Sequence, residues 1–324
     1  MVDQNSSDLA PKISIIGCGS VGMAYAYASV IRGIARSLVL IDIDKQRLEG
    51  EVLDLNHTAP FTSAIDIQVG EYSEIKNSDL IVITAGKSQE PGETRLDIAD
   101  KNVELFKEII PIIYKYAPES IYLIVSNPVD ILSYVTYKIS GKNHQEIIGS
   151  GTTLDTARLR FKLSKHCKID PRNIHAYILG EHGDSEVPIW SRAMIGGLLF
   201  GEYCKICNYR HSCKHEQVLS DVFKAVRDSA YKIIDKKGET SYGIGLALVR
   251  ISQAILNNEN AILPVSGLVQ NYLGIDEIYL SLPRILNKNG IKATLHLNLN
   301  SKEEENLKKS AQTLNKIILN LTIK

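Results

Sequence analysis

The sequence carries no excess of charge of either sign. Its 324 residues include 37 Lys and Arg and 37 Asp and Glu, so the formal net charge is zero. Proteins that bind nucleic acid usually carry a basic excess, so nucleic acid is not expected as the main partner. Hydrophobic residues make up 44% and charged residues 23% of the chain, which excludes a disordered protein. The length and composition fit a globular protein with one large or two smaller domains.

Long apolar runs and a cysteine framework are also missing. No stretch approaches the roughly 18 to 20 apolar residues that span a bilayer. The opening residues, MVDQNSSDLAPK, lack the apolar core of a signal peptide. Five cysteines are too few for a disulfide scaffold. These absences predict a cytoplasmic protein with reduced thiols and no membrane contact.

The first half of the chain alternates between strand-like and helix-like segments. Helical patterns run to about Ile31 and over residues 97–116. The β-branched, strand-like runs are residues 12–16, 37–41, 79–85 and 120–125. This alternation predicts an α/β fold with a Rossmann-type, doubly wound parallel sheet. We assign it to residues 1–150, of which 1–11 form a polar extension.

The second half, residues 151–324, has a different texture. Longer helical patterns at residues 153–166, 216–236 and 243–257 precede short strands with Gly and Pro turns. An amphipathic helix closes the chain from Ser301, where Ser301 and Glu304 have the spacing of a capping box. We therefore predict an α+β domain that holds the substrate and the catalytic groups, packed closely on the first.

A glycine-rich turn follows the first strand. Residues 17–22 read GCGSVG, a G-x-G-x-x-G that opens a helix, and this pattern lets the pyrophosphate of a dinucleotide approach the backbone. Asp42 ends the second strand about 20 residues later, where a carboxylate accepts hydrogen bonds from ribose hydroxyls and repels a 2′-phosphate. The pattern favours NAD over NADP. Lys45 and Arg47 offer charge for a phosphate, but they also fit solvated positions at a helix start.

Four further segments, together with the glycine motif, resemble the L-lactate/malate dehydrogenase family, and its lactate branch in particular. They are GKSQEPGETR at 86–95, SNPVD at 126–130, LDTAR at 154–158 and GEHGD at 180–184. The resemblance extends from about Lys12 to the final helix. It implies reversible hydride transfer between (S)-lactate and NAD⁺, giving pyruvate and NADH at the fermentative end of glycolysis.

Catalytic roles follow from the resemblance and agree with the chemistry. His182 matches the family's proton donor and acceptor, and a residue that titrates near neutrality suits this task. Asp155 matches the carboxylate that orients the imidazole. Arg158 matches the guanidinium that binds the substrate carboxylate through two parallel hydrogen bonds. Arg95, on a predicted lid, matches the cation that polarises the reacting carbonyl.

Substrate choice is predicted from Gln89. The lactate branch has a neutral Gln at this lid position, whereas malate dehydrogenases have an Arg that pairs with the second carboxylate. A neutral amide leaves the extra charge of malate unpaired, so pyruvate and lactate are favoured, and larger apolar 2-hydroxy acids stay open. Asn127 matches a family position that contacts the reacting carbonyl or the nicotinamide, and Thr240 matches one that places a hydroxyl on the substrate side.

The resemblance also implies a cofactor site, a homotetramer and a candidate effector site. The cofactor-binding residues would be Gly17, Gly19, Val21, Gly22, Asp42, Arg47, Tyr72, Gly86, Ser126, Asn127 and Ser150. In bacterial relatives that respond to fructose 1,6-bisphosphate, an Arg and a His at the positions of Arg160 and His175 bind its phosphates across a subunit interface. Relatives without this response can carry the same residue types, so the pair permits activation without requiring it.

Three alternatives remain open. Malate dehydrogenase is the close rival activity. A catalytically silent dinucleotide-binding module is the rival of another class, although such a module needs no proton acceptor. The third concerns a possible zinc site formed by Cys204, Cys207, His211, Cys213 and His215. The H-x-C-x-H spacing is too compressed for the usual structural sites, so we predict a surface loop with reduced thiols and assign no metal.

Overall fold

The computed structural model describes residues 11–87, 95–206 and 215–321, with the backbone only for residues 95–97 and 215. Six parallel strands form the first half of the protein. They are β1 (Lys12–Ile16), β2 (Ser37–Ile41), β3 (Asp66–Val69), β4 (Leu80–Ile83), β5 (Ile121–Ile124) and β6 (Ile147–Gly149). Their order in the sheet is β3-β2-β1-β4-β5-β6, the dinucleotide-binding arrangement. The Rossmann-type fold expected from the sequence is confirmed.

Helices cover both faces of this sheet, so most residues of its strands are buried and apolar on both sides instead of alternating between apolar and polar. The four helices of this half are α1 (Ser20–Arg32), α2 (Lys45–Asn56), α3 (Arg95–Tyr116) and α4 (Val129–Ser140). Along β1, Ile13 and Ile15 pack on one side with Tyr25 of α1, while Ile16 packs on the other side with Phe106 of α3. The core therefore consists of two apolar layers separated by the sheet.

The second half extends the same sheet. Strand β12 (Ala261–Val269) pairs antiparallel with β6 through Ser266 and Gly149, and β13 (Ile278–Asn287) and β14 (Gly290–Thr294) follow it. The nine strands run continuously across both halves of the chain. Short strands form two further sheets: β7 (Ile174–His175), β10 (Met194–Ile195) and β11 (Leu198–Leu199) form one, and β8 (Ile178–Leu179) and β9 (Val187–Pro188) form the other.

The remaining helices are α5 (Thr153–Cys167), α6 (Phe200–Ile206), α7 (His215–Arg227), α8 (Ser229–Lys237), α9 (Tyr242–Leu256) and α10 (Ser301–Ile318). Single 3₁₀ turns lie at Ala59–Phe61, Tyr72–Ile75, His144–Glu146, Pro171–Asn173 and Trp190–Arg192. Helix α9 packs against α1 so closely that a methyl group on Gly245 would lie 2.9 Å from the carbonyl oxygen of Ala24. Across the described ranges, no helix is long and apolar enough to cross a membrane.

Two details of the predicted helices are wrong. The pattern over residues 216–236 is two helices, α7 and α8, that meet at Asp228, where the hydroxyl of Ser229 donates to the carbonyl of Ala225 and competes with the helical ladder. The capping box of α10 is formed by Asn300 and Glu303, one residue before the expected pair. The carboxylate of Glu303 also accepts hydrogen bonds from the N–H and the hydroxyl of Ser191. This tertiary contact favours the capping box of Asn300 and Glu303 over that of Ser301 and Glu304.

Candidate active site

The glycine-rich turn lies at the carboxyl end of β1, and its three glycines differ in their surroundings. Gly17 has a φ of 94°, and a methyl group there would lie 2.4 Å from the backbone nitrogen of Ala85. A methyl group on Gly22 would lie 2.2 Å from the carbonyl oxygen of Gly17. Gly19, by contrast, has nothing within 4 Å, and it precedes the first turn of α1. This open space at a helix N-terminus fits the pyrophosphate of NAD.

Asp42 follows β2 and lies against the same turn. Its Oδ2 accepts the backbone N–H of Cys18 at 2.6 Å, and Oδ1 accepts the N–H of Asp44 at 3.0 Å. Arg47 donates from Nη2 to the carbonyl of Cys18 at 2.6 Å, so its guanidinium braces the turn from outside. Lys45 pairs instead with Glu71. The carboxylate of Asp42 is held where a ribose would meet the glycine turn.

The loops after β4 and β5 are joined by Asn102 of α3, a residue that sequence reasoning missed. Its Oδ1 accepts the N–H of Lys87 at 2.7 Å, and its Nδ2 donates to the carbonyl of Asn127 at 2.8 Å. Ser126 donates to the carbonyl of Ala85 at 2.5 Å. The available signal was a polar residue on the apolar face of an amphipathic helix. This network sets the positions of Gly86, Ser126 and Asn127 relative to one another.

His182, Asp155 and Arg158 are brought into direct contact. Nδ1 of His182 lies 2.6 Å from Oδ2 of Asp155, and Nη1 of Arg158 donates to Oδ1 of the same carboxylate at 2.9 Å. Asp155 and Arg158 lie three residues apart in the first turns of α5, and therefore on one face. His182 comes from the loop between β8 and β9, residues 180–186, which we call the catalytic loop. One buried carboxylate thus holds an imidazole and a guanidinium side by side.

The charges in this group shift the pKa values of His182 and Asp155. Burial opposes the protonated form of His182, but the charge and hydrogen bond of Asp155 outweigh it and raise the pKa of His182 to about 9. For Asp155, burial is likewise opposed by the positive charges of His182 and Arg158, and its pKa is lowered. At neutral pH the group is therefore an imidazolium, a carboxylate and a guanidinium.

Two more buried acids surround His182, and neither was assigned a role from the sequence. Asp130, in the first turn of α4, accepts the backbone N–H of His182 at 2.8 Å and the hydroxyl of Ser266 at 2.5 Å. Glu186 lines a cavity of about 250 Å³ between the catalytic loop and α10. Burial, reinforced by the charge of Asp155, raises the pKa of Glu186 to about 8. Asp130 belongs to the SNPVD motif, but nothing local in the sequence indicates its distant partners.

The structure gives less information on the other predicted site residues. Gln89 lies outside the described residues, and Arg95 is the first residue of α3, with only its backbone described. Ser150 is buried just after β6, while Tyr72 and Thr240 are half-buried. Within the described ranges, no hydrogen bond links Tyr72 or Thr240 to the His182 group.

Arg160 and His175 lie on the neighbouring elements α5 and β7. Arg160 donates from Nε to the carbonyl of Ala176 at 3.1 Å, and its guanidinium lies 5.5 Å from the centre of the Tyr177 ring. His175 is exposed. Of the Cys and His cluster, Cys207, His211 and Cys213 lie outside the described residues, and Cys204 is in α6.

The fold and this group of residues define an NAD-dependent dehydrogenase. A family model described as the lactate/malate dehydrogenase NAD-binding domain matches residues 11–149, and one described as the lactate/malate dehydrogenase alpha/beta C-terminal domain matches residues 152–322. The chain belongs to the lactate/malate dehydrogenase family. The family, enzyme class and cofactor predicted from the sequence are confirmed.

Similar proteins cover nearly the whole chain. An L-lactate dehydrogenase of Clostridium botulinum is 47% identical over 309 residues, 95% of this chain and 96% of its own. One from Acetivibrio thermocellus is 46% identical over 98% of this chain and all of its own. The crystal structure of a minor L-lactate dehydrogenase from Enterococcus mundtii superposes with a TM-score of 0.93 at 37% identity, covering 97% of this chain and 99% of that one.

Proposed function

We propose that the protein is an NAD-dependent L-lactate dehydrogenase that interconverts (S)-lactate and NAD⁺ with pyruvate, NADH and a proton. The contact between His182 and the buried carboxylate of Asp155 carries this proposal. It occupies Nδ1, so that the other ring nitrogen, Nε2, is directed to proton exchange with a substrate. L-lactate dehydrogenases at 46–47% identity over nearly the full length support the same assignment.

His182 moves the proton of the reaction. When pyruvate is reduced, protonated His182 donates from Nε2 to the carbonyl oxygen, and when lactate is oxidised, neutral His182 takes the hydroxyl proton. NADH, when bound, supplies the hydride that the carbonyl carbon receives. Asp155 keeps the proton on Nδ1 and stabilises the imidazolium, whose raised pKa of about 9 keeps His182 protonated at neutral pH.

Arg158 binds the carboxylate of the substrate. Its contact with Asp155 places the guanidinium beside the imidazole, so an acid group on Arg158 would bring the neighbouring carbonyl toward His182. By the family resemblance, Arg95 is assigned to polarise the reacting carbonyl and Gln89 to select pyruvate over substrates with a second carboxylate. Asn127 and Thr240 contribute polar contacts around the reacting carbon.

The residues that would hold the cofactor lie along the carboxyl edge of the parallel strands. Gly17, Gly19, Val21 and Gly22 would hold the pyrophosphate, and Asp42 would accept hydrogen bonds from the ribose hydroxyls, with Arg47 beside it. The rest of the dinucleotide would be held by Tyr72, Gly86, Ser126, Asn127 and Ser150. The hydrogen bond that the carboxylate of Asp42 accepts from Cys18 of the glycine turn supports this placement.

Steady-state rates with NADH test the substrate assignment. Pyruvate should be reduced with a kcat/KM at least about 100-fold above that for oxaloacetate, because the unpaired second carboxylate of oxaloacetate is costly to bury. His182→Asn should retain NADH binding and lose at least about 100-fold in pyruvate reduction. A preference for oxaloacetate would make malate dehydrogenase the function, and NADH binding without turnover of either acid would leave only a binding module.

We also propose that the active form is a homotetramer. Large apolar side chains remain exposed on the packed pair α1 and α9, among them Ile31 at 58% and Tyr242 at 77%. Exposed apolar patches of this kind mark association surfaces. Sedimentation should give about four subunits, and a monomer that is fully active would contradict the proposal.

Activation by fructose 1,6-bisphosphate is proposed for the surface that carries Arg160 and His175. A guanidinium and an exposed imidazole on adjacent elements suit phosphate groups bridged between two subunits. The effector should lower the pyruvate concentration for half-maximal rate, and Arg160→Gln should abolish this response while sparing the maximal rate. Wild-type enzyme that does not respond at low pyruvate would contradict the proposal.

We place the reaction in the cytoplasm, at the fermentative end of glycolysis. This assignment rests on the low cysteine content of the sequence, together with the chemistry of the reaction, which returns NADH to NAD⁺. Cell fractionation with an antibody to the chain tests it, and recovery in the medium would contradict it.

A further inference from the structure

Asp130 joins three separate elements at the catalytic loop. Its Oδ2 accepts the backbone N–H of His182 from the loop after β8, and its Oδ1 accepts the hydroxyl of Ser266 on β12, while Asp130 itself lies in the first turn of α4. The residue is 2% exposed. Hydrogen bonds to an ionised acceptor are about twice as strong as those to a neutral one. The carboxylate therefore holds the backbone of His182 firmly against the rigid sheet.

We propose that Asp130 is a positioning residue that keeps His182 in its reactive geometry, and that protonation of its carboxyl loosens this hold and limits pyruvate reduction at acid pH. The proposal rests on the proposed dehydrogenase function. Asp130 acts through His182 and takes no part in the transfer of the substrate proton.

Protonation changes the hydrogen bonds that this carboxyl can make. As a carboxylate, Asp130 accepts from both donors. Once a proton occupies Oδ1, the hydroxyl of Ser266 must turn round to accept it, and the N–H of His182 retains only a neutral acceptor. The catalytic loop then loses its charged anchor, and small displacements of a catalytic group reduce rates strongly.

The charged groups around Asp130 come from two elements. His182 and Glu181 face it from the catalytic loop, and Arg284 faces it from β13. Burial raises the pKa of Asp130 to about 6, against the hydrogen bonds from Ser266 and His182, which lower it. As the pH falls through this value, His182 only becomes more fully protonated. Proton donation alone therefore predicts no loss of pyruvate reduction at acid pH, whereas release of the loop does.

The test compares pH profiles of kcat/KM for pyruvate between about pH 4.5 and 8. Wild-type enzyme should lose activity with a midpoint near pH 6. Ser266→Ala removes a hydrogen bond that favours the carboxylate, so its midpoint should rise by about 0.5 to 1 pH unit. Asp130→Asn cannot titrate, so it should show no acid limb and a constant rate about 10-fold or more below the neutral-pH plateau of the wild type.

Ser133→Ala is the matched control, because Ser133 is also a buried serine and its hydroxyl donates within α4 to Val129. Its midpoint should equal that of the wild type. Circular dichroism at each pH separates release of the loop from unfolding. A Ser266→Ala midpoint that does not move, or an acid limb that persists in Asp130→Asn, would overturn the proposal.

Two other outcomes distinguish failure of this inference from failure of the proposed function. If the wild-type enzyme keeps its secondary structure and shows no acid limb, the inference is overturned. This result does not depend on whether any variant folds. Wild-type enzyme that does not reduce pyruvate at any pH would instead refute the proposed function.

Discussion

Asp155 carries the charge that sets how tightly His182 holds its proton. Its Oδ2 lies 2.6 Å from Nδ1 of His182, and Asp155 is only 4% exposed. Replacing Asp155 by Asn retains a polar side chain of the same size but removes the negative charge. Because burial by itself lowers the pKa of His182, the loss of this charge should move that pKa downward.

The size of the change follows from the geometry. Opposite charges centred roughly 4 Å apart interact by about 4 kcal/mol at an effective dielectric constant near 20, which corresponds to about three pKa units. The side chain of His182 is 27% exposed and the amide keeps a dipole, so a fall of about two units is a realistic expectation. The pKa of His182 would then move from about 9 to about 7.

The assay is the pH dependence of kcat/KM for pyruvate, followed by NADH absorbance. Pyruvate reduction needs protonated His182, so its alkaline limb should move to lower pH by about two units in Asp155→Asn. At pH 8 the protonated fraction falls from about nine tenths to about one tenth, which lowers the rate about 10-fold. Poorer orientation of the imidazole adds a loss at every pH.

Asp184→Asn is the matched control, since Asp184 is an exposed acid in the same loop as His182. Removing its charge should shift the limb by less than about 0.3 pH unit, because solvent and salt screen exposed charges. If Asp155→Asn lost activity equally at every pH with the alkaline limb unmoved, the electrostatic role of Asp155 would be refuted. A limb that moved upward would refute it as well.

Three further predictions concern the cofactor and the substrate. Gly22→Ala should lower the melting temperature, because its methyl group would lie 2.2 Å from the carbonyl oxygen of Gly17. A methyl group on Gly19 has no neighbour within 4 Å, so Gly19→Ala should keep the wild-type melting temperature and lose only NADH affinity. Thermal unfolding and NADH fluorescence titration separate the two variants, and equal melting temperatures would contradict this reading. Asp42→Ser should weaken the binding of NADH more than that of NADPH, because the ribose hydrogen bonds and the repulsion of a 2′-phosphate disappear together. An unchanged ratio of the two KM values would show that Asp42 does not contact the ribose. Gln89→Arg should move preference from pyruvate toward oxaloacetate by about 100-fold or more in kcat/KM, since the new cation pairs with the second carboxylate, and parallel changes for both substrates would place Gln89 away from the substrate side chain.

The sequence alone determined the features that depend on neighbouring residues. The bounds of β1 and β2 were predicted to the residue, since a short, mainly apolar run that ends at a turn is a local pattern. The glycine turn and the acidic residue Asp42 were likewise predicted from their spacing in the sequence. Where two local patterns competed, prediction failed by one residue, as in the capping box of α10, because Ser191 selected Glu303 from far along the chain.

Only the tertiary structure decided which distant groups share an environment. Asp155 and His182 are 27 residues apart, and Asp130 and Ser266 are 136 apart, yet each pair is in contact. The continuation of the sheet from β6 to β12 was equally invisible in the sequence. Strand pairing and loop packing minimise free energy over the whole molecule, whereas periodicity and capping report only on a few adjacent residues. The residues proposed to carry the chemistry could therefore be recognised as sequence motifs, whereas the buried groups around them were identified only from the fold.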